Sequence, residues 1–227
     1  MRRITFAPHE HYHLYNRGNN KQEVFHSRND YIRFLFYLLY LQSPIAFSDV
    51  SRHTTAFKKS GTFAVSDEVE SDIIARRSVV LEAFCLMPNH FHIIVEERAD
   101  GGISKYMQRV LNAYSKYANK KYPEKHIGHV FQGPFQYVHQ KRNEQLLYLS
   151  AYIHRNPRNM KEWKGKEPEY PWSSFHDFAV VNRWGNLCVS DIILGQFNDG
   201  MSYQMFVDTS SAKEEYNKTL GEIENRK

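Results

Sequence analysis

Leu86-Met87-Pro88-Asn89-His90-Phe91-His92-Ile93-Ile94-Val95-Glu96 is the stretch that decides how this chain is read. Pro88-Asn89 is a tight turn between two apolar runs, so Val79 to Met87 and His90 to Glu96 read as a β-hairpin. Side chains alternate faces along a strand. His90 and His92 therefore share one face, with Cα atoms roughly 6.6–6.8 Å apart, while Phe91, Ile93 and Val95 point to the other. Two imidazoles on one face hold half the shell of a metal ion. Spacing alone also fits a metal-free strand, so what faces the pair matters.

Working outward, His11 to Gly18 reads as a strand running into a polar turn, Asn16-Arg17-Gly18-Asn19-Asn20-Lys21, suited to approach phosphate. Asn29-Asp30 carries an N-cap signal. The helix after it, Tyr31 to Leu41, is apolar on nearly every side, so deep burial is expected. Residues 43–78 are rich in Ser, Thr, Lys and acidic residues without a sustained period, which predicts a polar insertion or loop.

Ile103 to Tyr122 is the clearest helix. Ile103, Met107, Val110, Leu111, Tyr114 and Ala118 fall within about 100° of one another on a helical wheel. Lys105, Arg109, Lys116 and Lys120 fall within about 60° on the opposite side. A solvated face and a surface for an anionic ligand both fit that stripe, and the lack of acidic partners at i±4 favours the ligand. Phe135 to Gln140 is a further strand. Asn143 opens a helix that runs to about Asn156 and is closed by Pro157.

The order strand, helix, strand, strand, helix, strand predicts an α+β, ferredoxin-like antiparallel sheet. The helix carrying Tyr152 follows the last strand. Tyr152 and Asn156 lie about 40° apart on that helix and share a face. A phenol and an amide oxygen can meet the two histidines there. A tyrosine hydroxyl is a slow nucleophile at neutral pH unless a metal polarises the group it attacks. A buried core tyrosine remains the open alternative, since the chain has 15 tyrosines.

The chain has 227 residues and a formal net charge of +5, room for one sizeable core and a mild pointer to nucleic acid. Two widely separated cysteines, Cys85 and Cys188, give no disulfide framework, and a reducing cytosol is the expected compartment. The first residues lack a signal-peptide pattern. The longest apolar run, Phe34 to Leu41, is far short of the ~20 residues that span a bilayer.

Taken together, His13-Leu14-Tyr15-Asn16-Arg17-Gly18-Asn19-Asn20, Cys85 to His92, Phe131-Gln132-Gly133, Tyr152 to Pro157 and Pro171-Trp172-Ser173-Ser174 resemble the REP-associated tyrosine transposases. These belong to the HUH (His-hydrophobic-His) single-strand transposase superfamily. The resemblance runs from about residue 8 to 176. It implies a catalytic domain over 1–170 and a partly helical C-terminal extension over 171–227, whose charged end from Lys213 is expected to fray.

The resemblance further implies that His90 and His92 are the metal pair, with Asn156 as the third ligand and Tyr152 as the nucleophile. The product would be a 5′-phosphotyrosine link and a free 3′-hydroxyl. The implied cofactor is a divalent cation, Mg2+ first and Mn2+ second, and the implied partner is single-stranded DNA bearing hairpins. Arg17, Lys21, Lys105, Arg109, Lys116, Lys120 and Arg155 are the candidate DNA contacts. Monomer and homodimer are both open, as is whether Tyr152 acts within its own chain. A non-catalytic DNA-binding descendant and a metal phosphodiesterase using water are the rival readings.

Overall fold

The computed structural model describes residues 5–125 and 129–217. Four antiparallel strands form one sheet: β1 (His11–Arg17), β2 (Val79–Met87), β3 (His90–Glu97) and β4 (Gln136–Gln140), in the spatial order β2-β3-β1-β4. The predicted hairpin is present, and β3 lies at the centre of the sheet with β1. His92 sits between Tyr15 of β1 and Cys85 of β2, and His90 between Arg17 and Met87.

Helices α1 (Arg28–Tyr40) and α4 (Gly102–Lys121) pack on the face that receives Phe91, which meets Phe34 at 5.1 Å between ring centroids. Asp30, at the third position of α1, accepts from the backbone N–H of His26 (3.0 Å) and of Ser27 (2.8 Å), so Ser27 rather than Asn29 is the cap residue. Glu97, at the end of β3, accepts from the N–H groups of Gly102 and Ile103 at 3.0 and 2.7 Å and starts α4.

Residues 43–78 are not a loop. They form α2 (Val50–Ser60) and α3 (Asp67–Arg76). Asp49 and Ser66 cap these helices, and Gly61 ends α2 with φ 77°. Each helix buries only one or two side chains, which leaves too few apolar residues to print a period. The segment also explains why α1 is apolar all round, because Phe47, His53 and Phe63 ring Phe36 on the side away from the sheet.

The opposite face of the sheet carries α5 (Asn143–His154) and then the C-terminal elements α6 (Phe175–Ala179), α7 (Asp191–Leu194) and α8 (Gly200–Thr209). The helix α5 stops at His154. Asn156 belongs to the 3₁₀ turn Asn156–Asn159 that follows, one step beyond the helix predicted to carry it.

The C-terminal extension also covers the outer edge of β2. Leu86 N–H donates to Trp172, Ser174 N–H to Phe84 and Val189 N–H to Leu81, at 2.8–2.9 Å. An open strand edge is thereby closed. His154 ties the two parts together, since its ring nitrogens lie 2.6 Å from the Tyr203 hydroxyl and 2.8 Å from Ser174 Oγ. Among the described residues no helix is long and apolar enough to cross a membrane.

Candidate active site

His90 and His92 face α5, as strand alternation requires, with ring centroids 5.0 Å apart. His90 Nδ1 lies 2.7 Å from Asn89 Oδ1 and His92 Nδ1 lies 2.9 Å from His13 Nε2. Each Nδ1 is thus engaged by a neighbour, which leaves Nε2 as the nitrogen for a ligand. That is the arrangement in which metal-binding imidazoles are held by their surroundings.

The amide of Asn156 completes the trio. Its Nδ2 donates to the carbonyls of Tyr152 (2.9 Å) and Ile153 (3.3 Å), the last turn of α5. This fixes Oδ1 toward β3, where it lies 3.4 Å from His90 Nε2. Two imidazole nitrogens and one amide oxygen fit a divalent cation that keeps water or phosphate on its remaining positions. Among the described residues no group of three His, Cys, Asp or Glu side chains is placed to hold a metal without such help.

Tyr152 meets His92 edge to face, with ring centroids 5.6 Å apart. The two share a cavity of about 330 Å³ with Tyr15, Arg17, His90 and Gln132. Burial lowers the basicity of His90, with Asn156 opposing and Arg17 adding to the effect. Burial, then His13 and His90, hold His92 well below the ordinary histidine value, and burial takes His13 down to about 3. All three rings are neutral at pH 7, the state that coordinates metal. Burial and the nearby Tyr15 raise the phenol of Tyr152, so it is protonated at rest.

Two further residues belong to this site. His13 is fully buried and stacks on His92 at 5.0 Å. It shares one face of β1 with Tyr15 and Arg17, so the rule that paired His90 with His92 also points to it. Tyr216 lies in the segment expected to fray, yet it is buried. Its ring stacks on Tyr152 at 4.2 Å with 17° between planes, and its hydroxyl is 3.0 Å from His13 Nδ1. No sequence signal marks it. Residues 218–227 lie outside the described residues.

The seven basic candidates separate. Arg17 lies across from His90 in the sheet and lines the cavity, with a buried Nε that has no partner among the described residues. Arg155 lines a neighbouring hollow with Tyr152 and Asn156, and it donates to the Ser210 carbonyl at 2.7 Å. Lys21 is exposed on the loop after β1. Lys105, Lys116 and Lys120 are exposed on α4, on the far side of the sheet from Tyr152. Arg109 is not displayed for a ligand. Its guanidinium donates to the carbonyls of Leu41, Ser43 and Ile45 and ties down the chain leaving α1. A wheel projection cannot see those carbonyls, because they come from another element.

No curated protein matches this chain. Among solved structures, a REP-associated tyrosine transposase bound to a REP hairpin superposes with a TM-score of 0.51 at 13% identity, covering 78% of this chain and 83% of the other. That likeness establishes the α+β fold. The family described as IS200-like transposases matches residues 48–156, a span that contains the hairpin histidines, Tyr152 and Asn156. Over those residues, just under half of its length, the chain is similar to the IS200-like transposases.

Proposed function

We propose that the protein is a metal-dependent single-stranded DNA transesterase that cuts and rejoins hairpin-bearing DNA through a 5′-phosphotyrosine link on Tyr152. The observation that carries this reading is the contact of Tyr152 with His92 in a cavity shared with His90, whose Nε2 lies 3.4 Å from Asn156 Oδ1. A phenol has no structural need to sit against two neutral imidazoles and an oriented amide oxygen. The solved relative is bound to a REP hairpin, which supports the same class of substrate here.

His90, His92 and Asn156 are the residues that would hold Mg2+ or Mn2+. A cation bound there supplies Lewis-acid polarisation of a phosphodiester. Arg17 is placed to hold a non-bridging oxygen of the same phosphate. As the bond from Tyr152 Oη to phosphorus forms, the bond from phosphorus to O3′ breaks. The phenolic proton ends, overall, on the departing 3′-oxygen. The reverse reaction with another 3′-hydroxyl rejoins DNA with no energy source beyond the stored ester. The contact of Tyr152 with His92 within one chain supports action in cis.

The test is incubation with a labelled single-stranded hairpin oligonucleotide and Mg2+ or Mn2+, followed by denaturing gel electrophoresis. A protein–DNA adduct that Tyr152→Phe abolishes, with DNA binding retained, is the expected result. Cleavage without an adduct would replace the tyrosine with water as nucleophile. Binding without cleavage would make the protein a non-catalytic descendant.

A further inference from the structure

Ala83, Ile94, His13 and Val138 lie side by side across the four strands, and all four are buried. Three of them are apolar. A leucine or valine would fill the place of the fourth at no polar cost, whereas a buried imidazole needs a partner for each nitrogen. His13 finds both partners off the row. Its Nε2 lies 2.9 Å from His92 Nδ1, one diagonal step along β3, within reach of a ring in an antiparallel pair. Its Nδ1 lies 3.0 Å from the Tyr216 hydroxyl. Both nitrogens are engaged, so His13 has none left for a metal ion or for the phenol of Tyr152.

The two cavity histidines are held in different ways. Asn89 Nδ2 donates to the Lys21 carbonyl at 3.3 Å, which turns Asn89 Oδ1 to His90 Nδ1 at 2.7 Å. An amide oxygen only accepts, so His90 Nδ1 carries the proton and Nε2 keeps its lone pair. The partner of His92 is another imidazole with a hydroxyl behind it, and each of these can give or take a proton. Two proton arrangements therefore fill the chain Tyr216–His13–His92. In one, Tyr216 donates to His13 Nδ1, His13 Nε2 donates to His92 Nδ1, and the proton of His92 sits on Nε2. In the other, every bond runs the opposite way and His92 Nε2 presents a lone pair. Only the second leaves the Nε2 lone pairs of His90 and His92 for one cation.

We propose that His13 is a positioning residue of the metal site, which accepts the Nδ1 proton of His92 and so turns the Nε2 lone pair of His92 into the catalytic cavity. It touches neither metal nor DNA. The packing holds it to that task, with the rings of Tyr15, His92 and Tyr216 at 4.9, 5.0 and 5.3 Å from its own. The proposal rests on the transesterase reading for the purpose of the metal and not for the hydrogen bonds.

The test compares full-length wild type with His13→Gln and His13→Leu. A glutamine oxygen can accept from His92 in place of Nε2, and leucine fills a similar volume without an acceptor. Melting temperatures check that both variants fold, and Mn2+ is titrated by calorimetry. His13→Leu should lose roughly 10–100-fold in Mn2+ affinity, the cost of removing a supporting partner. His13→Gln should restore most of it. Equal losses in the two variants, or none in either, would overturn the proposal.

A second measurement needs no variant. Proton–nitrogen correlation spectra of the imidazole rings of the wild type in Mg2+ should place the proton of His92 on Nδ1 and that of His13 on Nδ1. A proton on His92 Nε2 would overturn the proposal. The two readings fail separately. A Tyr152 adduct with equal Mn2+ affinity in all the proteins defeats the positioning role alone. A loss with leucine that glutamine restores, with no adduct, defeats the chemistry alone.

Discussion

Asn156 Oδ1 lies 3.4 Å from His90 Nε2, although the two residues are 66 positions apart. Two bonds from the amide nitrogen to the end of α5 hold the oxygen in that direction. Asn156→Ala should therefore weaken Mn2+ binding by at least the 10–100-fold (roughly) that loss of a supporting group costs. Calorimetric titration of Mn2+ checks this. Unchanged affinity would remove Asn156 from the metal site.

Tyr216 covers one face of the Tyr152 ring and is bonded to His13. A DNA strand approaching that face has to displace it. Tyr216→Ala should speed adduct formation at subsaturating DNA, read as the initial rate on a denaturing gel. A slower rate would make Tyr216 a support for the nucleophile instead of a cover.

Arg109 and Lys120 lie on the same stripe of α4 but should behave in opposite ways. Arg109→Ala orphans the carbonyls of Leu41, Ser43 and Ile45 and should cost about 2 kcal/mol of stability. It should leave DNA affinity alone. Lys120→Ala should spare stability and lower the slope of log affinity against log salt by about one. Thermal melts and a salt series on both variants decide.

Asp30 is a fully buried carboxylate that accepts from Lys121 Nζ at 2.7 Å, from the Tyr117 hydroxyl at 2.7 Å and from the Tyr122 hydroxyl at 2.9 Å. Burial pushes its pKa up, and the bonds from Lys121, Tyr117 and Tyr122 more than offset this, so the folded value is below the usual one. The stabilisation is present above the unfolded aspartate value of about 3.9 and is lost as pH falls through the lower folded value. Asp30→Asn should cost about 3 kcal/mol at pH 7 and flatten the decline in stability below about pH 4. Urea titrations across pH 2.5–7 (roughly the range these values span) test both.

Much of the site was legible because it obeys local periodicity. Strand alternation put His90 and His92 on one face, and the helical turn put Tyr152 near Asn156. What escaped depended on distant chain meeting the site. His13 reaches His92 only because β1 pairs with β3, and Tyr216 reaches Tyr152 only because the C-terminal segment folds back over α5. The segment 43–78 read as a loop because its helices bury so little that no apolar stripe is needed. Arg109 read as a surface cation because its partners belong to the end of α1.

In the proposed reaction Tyr152 itself takes the DNA phosphate. Digesting the protein–DNA adduct with trypsin and nuclease and sequencing the modified peptide by mass spectrometry tests it most directly. The peptide Asn143–Arg155 contains Tyr148 and Tyr152. A phosphonucleotide on Tyr152 is the expected result, and a modification on Tyr148, on Tyr216 or on no tyrosine at all would rule Tyr152 out as the nucleophile.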